Sequence, residues 1–215
     1  MPLDEQSERA ALLSALTTEH FVLQTANNST YAEASARSTL YVMALSSSLV
    51  AMGFVAGSSE VLIPFAAVVL PAIFVLGLFT VARLVETALE SMQCLEGIAR
   101  IRGYYRTLGP QAARYFSAEN GRWPEAEPPA LRLGRAFAFL GTTASMIAVI
   151  NNAVAGVGIA LAARFLRPGL PSWVLVSAGV AGALVLTWLF YAYQRWRFAD
   201  HDARASRADR GSARP

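Results

Sequence analysis

The sequence predicts an all-α membrane protein. Its four transmembrane helices form two hairpins, and a helical cytoplasmic stalk comes from the N-terminal arm and the extension of the second span. Three observations carry this prediction. The chain is 54 % hydrophobic and only 15 % charged, where ordinary soluble domains are about 25 % charged. Four segments approach the roughly 20 apolar residues that cross a hydrocarbon core as a helix. The arginines gather at the ends of those segments, and mainly on one side of them.

The N-terminal arm, 1–38, opens with "MPLDEQSERA". It lacks a basic n-region and an early apolar core, so it does not read as a cleavable signal peptide. Asp4 or Ser7 suits a helix N-cap. Leu12, Leu13, Leu16, Phe21 and Leu23 give the arm an apolar side. The 25–30 stretch, with Asn27 and Asn28, lowers helix propensity and marks a place for a kink.

The first hairpin is 39–82. Span one, 39–56, is the most polar because Ser46, Ser47 and Ser48 interrupt it, and span two, 61–82, carries Pro64 and Pro71. The helical pattern then continues past the membrane through 83–117. Its apolar stripe runs through Leu84, Ala88, Leu95, Ile98, Ile101, Tyr105 and Leu108, with Arg83, Glu86 and Glu90 on the alternate face as an i+3/i+4 ion-pair ladder. Gly109 and Pro110 end it. The stripe needs a cover, and the arm is the natural one: Leu12, Leu16, Leu95, Ile98 and Tyr105 are the expected stalk contacts. A short helix at 111–116 and a Pro- and Glu-rich linker at 118–135 follow.

The second hairpin is 136–194, with span three at 136–163 and span four at 172–193. The tail, 195–215, alternates Arg, Asp and small residues and reads as disordered. Orientation follows from the arginines, which favour the cytoplasmic side of short loops. Arg83, Arg100, Arg102, Arg106, Arg114, Arg122, Arg132 and Arg135 lie between spans two and three, and six more follow span four. The 57–60 turn has none and the 164–171 turn only Arg164 and Arg167. Both termini and the central segment are therefore expected in the cytoplasm of a bacterial inner membrane. Trp173 at one end of span four and Tyr191, Tyr193 and Trp196 at the other suit interfacial anchoring; Trp173 to Tyr191 is about 27 Å at helical rise.

One local feature stands out. In "MIAVINNAVAGVGIALAA" two adjacent amides, Asn151 and Asn152, sit in an otherwise apolar run. Neighbours on a helix point about 100° apart, so the two face different surroundings. Gly141, Ser145, Ala148, Asn152 and Gly156 form a stripe of small residues, the pattern of close helix packing in membranes. Asn151 falls on the bulkier flank. Taken with Ser46, Ser47, Ser48 and Pro71, which frees the carbonyl of Ala67, the amides are expected at the midplane as a polar belt. Gly182 on span four gives that belt room. Asn152 reads as interhelical glue and Asn151 as the residue that would line a path if anything is conducted.

Enzymatic chemistry finds little footing. All 18 basic residues are arginine, so the lysine of a P-loop or a Schiff base is missing. One cysteine, Cys94, and two histidines, His20 and His201, offer no metal motif or nucleophile signature. No enzyme activity, cofactor, metal or nucleic-acid partner is expected. The expected partners are the lipid bilayer, further copies of the chain and a cytosolic protein.

The stretches "FVLQTANNSTYAEASARSTLYV", "IARIRGYYRTLGPQAARYF" and "TTASMIAVINNAVAGV" resemble an uncharacterised actinobacterial family of four-pass integral membrane proteins, over nearly the whole chain. In architecture the chain is also similar to the SLATT-type membrane effectors of bacterial defence systems, which have a helix entering a two-span hairpin and then a long cytoplasmic helix. The second hairpin here departs from that plan. That likeness implies a homo-oligomeric pore or channel-like effector gated from its cytoplasmic helices. The alternative is a non-conducting membrane scaffold or partner subunit that docks a cytosolic protein.

Overall fold

The computed structural model describes residues 4–116 and 142–212. Among them all regular structure is helical: α1 (Glu5–Val55), α2 (Ser59–Arg106), the single turn α3 (Ala112–Tyr115), α4 (Thr143–Leu166) and α5 (Ser172–Ser212). Four of these, α1, α2, α4 and α5, are long and apolar enough to cross a membrane. The 118–135 linker, the first residues of the expected third span and Gly141 lie outside the described residues.

α1 joins arm and span in one helix of 51 residues. Its start is fixed by the Asp4 carbonyl, which accepts from the backbone N–H groups of Ser7 and Glu8, with Glu5 and Glu8 in the favourable first turn. The Thr- and Asn-containing stretch does not interrupt it. The hydroxyls of Thr17, Thr18, Thr25 and Thr30 donate to carbonyls three or four residues back, so they are absorbed by the helix.

A tight turn follows, in which Ser58 donates its N–H to the Val55 carbonyl and accepts from Val61 and Leu62. α2 carries Pro64 and Pro71 within it. It ends as Thr107 and Leu108 bond back to Tyr104 and Tyr105, three residues each.

α4 begins at a true cap: Thr142 Oγ1 accepts from the Ser145 N–H at 3.2 Å. It ends before Pro168, which disfavours helix in the residue ahead of it. Pro171 then opens α5, its carbonyl accepting from Val174 and Leu175. The tail expected to be disordered is helical as far as Ser212. Alanine and arginine are both strong helix formers, and Asp200 and Arg204 form an i,i+4 ion pair at 2.6 Å on this extension.

The chain divides into two compact units, Met1–Ala34 with Glu86–Arg132 and Ser35–Val85 with Leu133–Pro215. In the first, the arm and the distal half of α2 bury Leu89, Ile98 and Ile101 together with Thr30, Thr87 and Ser91. Ser91 Oγ donates to Asn27 Oδ1 at 2.7 Å, and the Thr17 and Tyr105 hydroxyls lie 3.3 Å apart. Between these ties a Cβ on Gly97 would stand 2.8 Å from Leu23 Cδ1, so glycine is what seats that leucine. Of the expected contacts, Ile98 is buried, Leu16, Leu95 and Tyr105 are half-buried, and Leu12 is 46 % exposed. Leu12 is thus on the outer side of the arm, one position away from the half-buried Leu13. Glu86 and Glu90, expected with Arg83 on the face away from the apolar stripe, are half-buried and engaged in polar or charged interactions.

The second unit holds the apolar halves of α1 and α2 with α4 and α5. Tyr41, Ile73, Val85, Ile147, Ala148 and Leu175 are buried in it. Val68, Phe79, Val149, Leu184 and Trp188 face outward, the arrangement lipid contact requires and one that water would penalise.

Candidate functional site

The paired asparagines are both interior. Asn151 is 2 % exposed and Asn152 7 %. Their 100° separation sends them to different helices. Asn151 reaches α1 and α2: its Oδ1 accepts from the Tyr41 hydroxyl at 3.2 Å, and its Nδ2 donates to the Phe74 carbonyl at 3.2 Å. Asn152 reaches α5: its Nδ2 donates to Thr187 Oγ1 at 3.1 Å, and that hydroxyl donates to the Ala183 carbonyl at 2.8 Å. One dipeptide therefore ties α4 to all three other long helices of its unit.

Gly77 makes the first tie possible. A Cβ at that position would overlap the Asn151 side-chain amide and stand 2.7 Å from Tyr41 Cε2. The bare backbone of α2 is the floor on which the amide and the phenol meet. Tyr41 is 0 % exposed, so its hydroxyl needs a partner inside the protein. Neither Tyr41, Gly77, Phe74, Thr187 nor the buried Gln194 figured among the sequence candidates. A signal existed for one of them: Gln194 continues the Asn152-facing side of α5 by one i+7 step from Thr187.

Three placements correct the sequence reading. Asn151 is not on a flank but at the junction of three helices. Pro71 is exposed, and the acceptor Asn151 uses is the Phe74 carbonyl rather than that of Ala67. Finally, the belt divides into two levels. Tyr41 and Gly77 mark the level of the amides, whereas Ser46–Ser48 lie five to seven residues after Tyr41 and Pro71 six residues before Gly77, about 8–10 Å away at helical rise. The expected common depth came from starting the third span at 136, whereas α4 begins at Thr143. That later start puts Asn151 only two turns into the helix. Ser46 and Ser47 are exposed, and half-buried Ser48 donates to its own helix at the Ala44 carbonyl, 2.8 Å away.

The α4–α5 seam has two chemistries along its length. Toward the start of α4, Ser145 Oγ donates to Gln194 Oε1 at 3.4 Å, and the Asn152–Thr187 bond follows two turns later. Beyond it the seam is glycine. A Cβ on Gly156 would stand 2.6 Å from the Gly179 carbonyl oxygen, and one on Gly179 2.5 Å from that of Gly156. Backbones this close require glycine on both sides. Gly182, expected to make room for the polar belt, instead receives Ile159 Cδ1. Ala148 is buried in the same unit at 2 % exposure.

Beyond the amides, Arg195 lies over the Tyr191 ring, 5.8 Å from its centroid, and Tyr193 and Trp196 are in ring contact. Among the described residues no three His, Cys, Asp or Glu side chains are grouped as a metal site would need. Cys94 is a free, half-buried thiol.

Fold and site together define an all-α chain with four potential membrane-spanning helices, cross-tied by neutral polar side chains. Neither the protein-family models, nor the curated proteins, nor the solved structures contain a match to it.

Proposed function

We propose that this protein is a non-conducting integral membrane scaffold or partner subunit of a bacterial inner membrane. Its termini and central segment face the cytoplasm, and its paired arm and α2 extension dock a cytosolic protein. The observation that carries the reading is the engagement of both asparagines inside one chain. Groups that line a hydrated path must turn toward water, and Asn151 has both ends of its amide committed to Tyr41 and Phe74. Neutral interhelical hydrogen bonds in membranes stabilise by about 0.6–2 kcal/mol each, which suits a permanent tie. The arginine asymmetry supports the cytoplasmic orientation.

A channel-like oligomer is the second reading, favoured by the outward exposure of Ser46 and Ser47 within the apolar part of α1. The likeness to SLATT-type effectors belongs to this reading. Flux through liposomes carrying the purified full chain separates the two. The scaffold reading expects ion leakage equal to that of protein-free vesicles, together with reproducible capture of a cytosolic protein by the full chain. Leakage that scales with protein and falls on Ser46→Leu would replace it with the channel.

A further inference from the structure

The α4–α5 seam leads into a charged turn. Asn152–Thr187 and Ser145–Gln194 share one register between the two antiparallel helices. Arg197, three residues after Gln194, therefore comes level with Thr142 at the start of α4. Its chain neighbours Arg195 and Trp196 are exposed, and Arg195 lies over the Tyr191 ring. Arg197 stands instead within about 60° of Gln194 around the helix, toward the side that meets α4. It is half-buried, and among the described residues nothing accepts from its buried Nε.

A guanidinium keeps its charge at any physiological pH, and a buried N–H without an acceptor is costly. The described side chains of this unit offer no free counter-charge. Asp200, three residues on, is held by Arg204 at 2.6 Å. Their other carboxylate, Glu60, stands in the first turn of α2, at the opposite end of the bundle. The start of α4 is the positive end of a helix and cannot neutralise an arginine. Depth then narrows the choice of anion. Tyr193, four residues before Arg197 and on the same side, is half-buried and in ring contact with Trp196. Such aromatic residues mark the headgroup boundary of a membrane. Arg197 lies about 6 Å beyond Tyr193 along α5, at the depth of the phosphates.

We propose that Arg197 binds the phosphate of one anionic phospholipid, whose glycerol lies along Tyr193. The planar fork of a guanidinium grips phosphate oxygens in pairs, and basic sites beside membrane helices hold acidic headgroups. A zwitterionic headgroup brings an ammonium for which the described side chains here have no free carboxylate, so the net-anionic class is preferred. Arg195, with the same charge on the exposed side of the helix, is a general anchor and not part of the site. The site needs the membrane location of the scaffold reading and nothing else in it.

Native mass spectrometry of the delipidated full chain in mild detergent, titrated with phosphatidylglycerol, tests this. Arg197→Gln is expected to weaken uptake of the first lipid about tenfold, and Arg197→Lys, which keeps the charge without the fork, by less. Arg195→Gln is expected to change it about twofold or less, its charge being screened from the site. Phosphatidylcholine is expected to bind about tenfold more weakly than phosphatidylglycerol, and excess inorganic phosphate to leave the bound lipid in place. Phosphatidylglycerol should raise the Tm of wild type and Arg195→Gln but not of Arg197→Gln. The lipid-free Tm of Arg197→Gln should equal or exceed that of wild type; a lower one would show Arg197 paired within the chain and overturn the proposal. Equal losses in the Arg195→Gln and Arg197→Gln chains, or no preference between the two lipids, would overturn it too. Displacement by inorganic phosphate would replace the lipid with a free phosphate. A chain recovered from the soluble fraction removes the membrane reading and the site with it. Lost lipid selectivity in a membrane-bound chain that still captures a cytosolic protein removes the site alone.

Discussion

At the scale of single residues, the chain uses glycine in two opposite ways. Gly77 is filled by a neighbour's amide, and Gly158 faces open space. Gly77→Ala is expected to displace the Asn151 amide and destabilise the protein by about 1–3 kcal/mol, since it strains the contact and weakens two interhelical hydrogen bonds. Gly158→Ala is expected to be neutral or stabilising by up to about 1 kcal/mol, because only helix propensity changes. Unfolding in mixed micelles measures both, and equal effects would remove the account of Gly77. The pair of amides was legible in the sequence, and so was their divergence, because 100° per residue is a property of any helix. Their partners were not. Tyr41 and Asn151 are separated by 110 positions, and no periodicity within either helix says that they meet.

At the scale of elements, the same contrast occurs within α2 beyond its apolar part. Gly97 seats Leu23 of the arm, while Gly103 touches nothing within 4 Å. Gly97→Val is expected to push arm and α2 apart at a cost of about 1–3 kcal/mol, and Gly103→Ala to stabilise α2 by roughly 0.5–1 kcal/mol. Amide hydrogen exchange across the arm reads the difference: faster for the first variant, unchanged or slower for the second. The last turns of α5 provide another case. Asp200→Lys replaces an i,i+4 ion pair with a like-charge pair, a change of about 0.5–1 kcal/mol on an exposed helix. Exchange beyond residue 200 is expected to rise in that variant and to stay unchanged in Asp200→Glu. The length of α5 shows why this element was misread. Alternating Arg, Asp and small residues has the composition of a solvated tail, but its i,i+4 pairing and alanine content also satisfy a helix that already has about six apolar turns to grow from.

At the scale of the whole molecule, four apolar segments with arginine-rich flanks were legible because hydrophobic length and loop charge are additive properties that need no tertiary information. The common depth of the polar groups was not. It depended on where α4 starts, and element ends are set by a cap such as Thr142 more than by composition. The orientation proposed from the arginines is checked by labelling on the Cys94→Ala chain. A cysteine at Ser58 is expected to react with a membrane-impermeant maleimide in intact cells, and one at Thr107 only after permeabilisation.

The central claim is that the asparagines are ties of a closed bundle, and Asn151→Leu tests it most directly. Leucine fills similar space but strands the Tyr41 hydroxyl and releases the Phe74 carbonyl. The free energy of unfolding in mixed micelles is expected to fall by about 1–3 kcal/mol. Most of that loss should disappear when Asn151→Leu is made on a Tyr41→Phe background. Full stability in Asn151→Leu would contradict the account and return Asn151 to the role of a residue kept for something that passes by it.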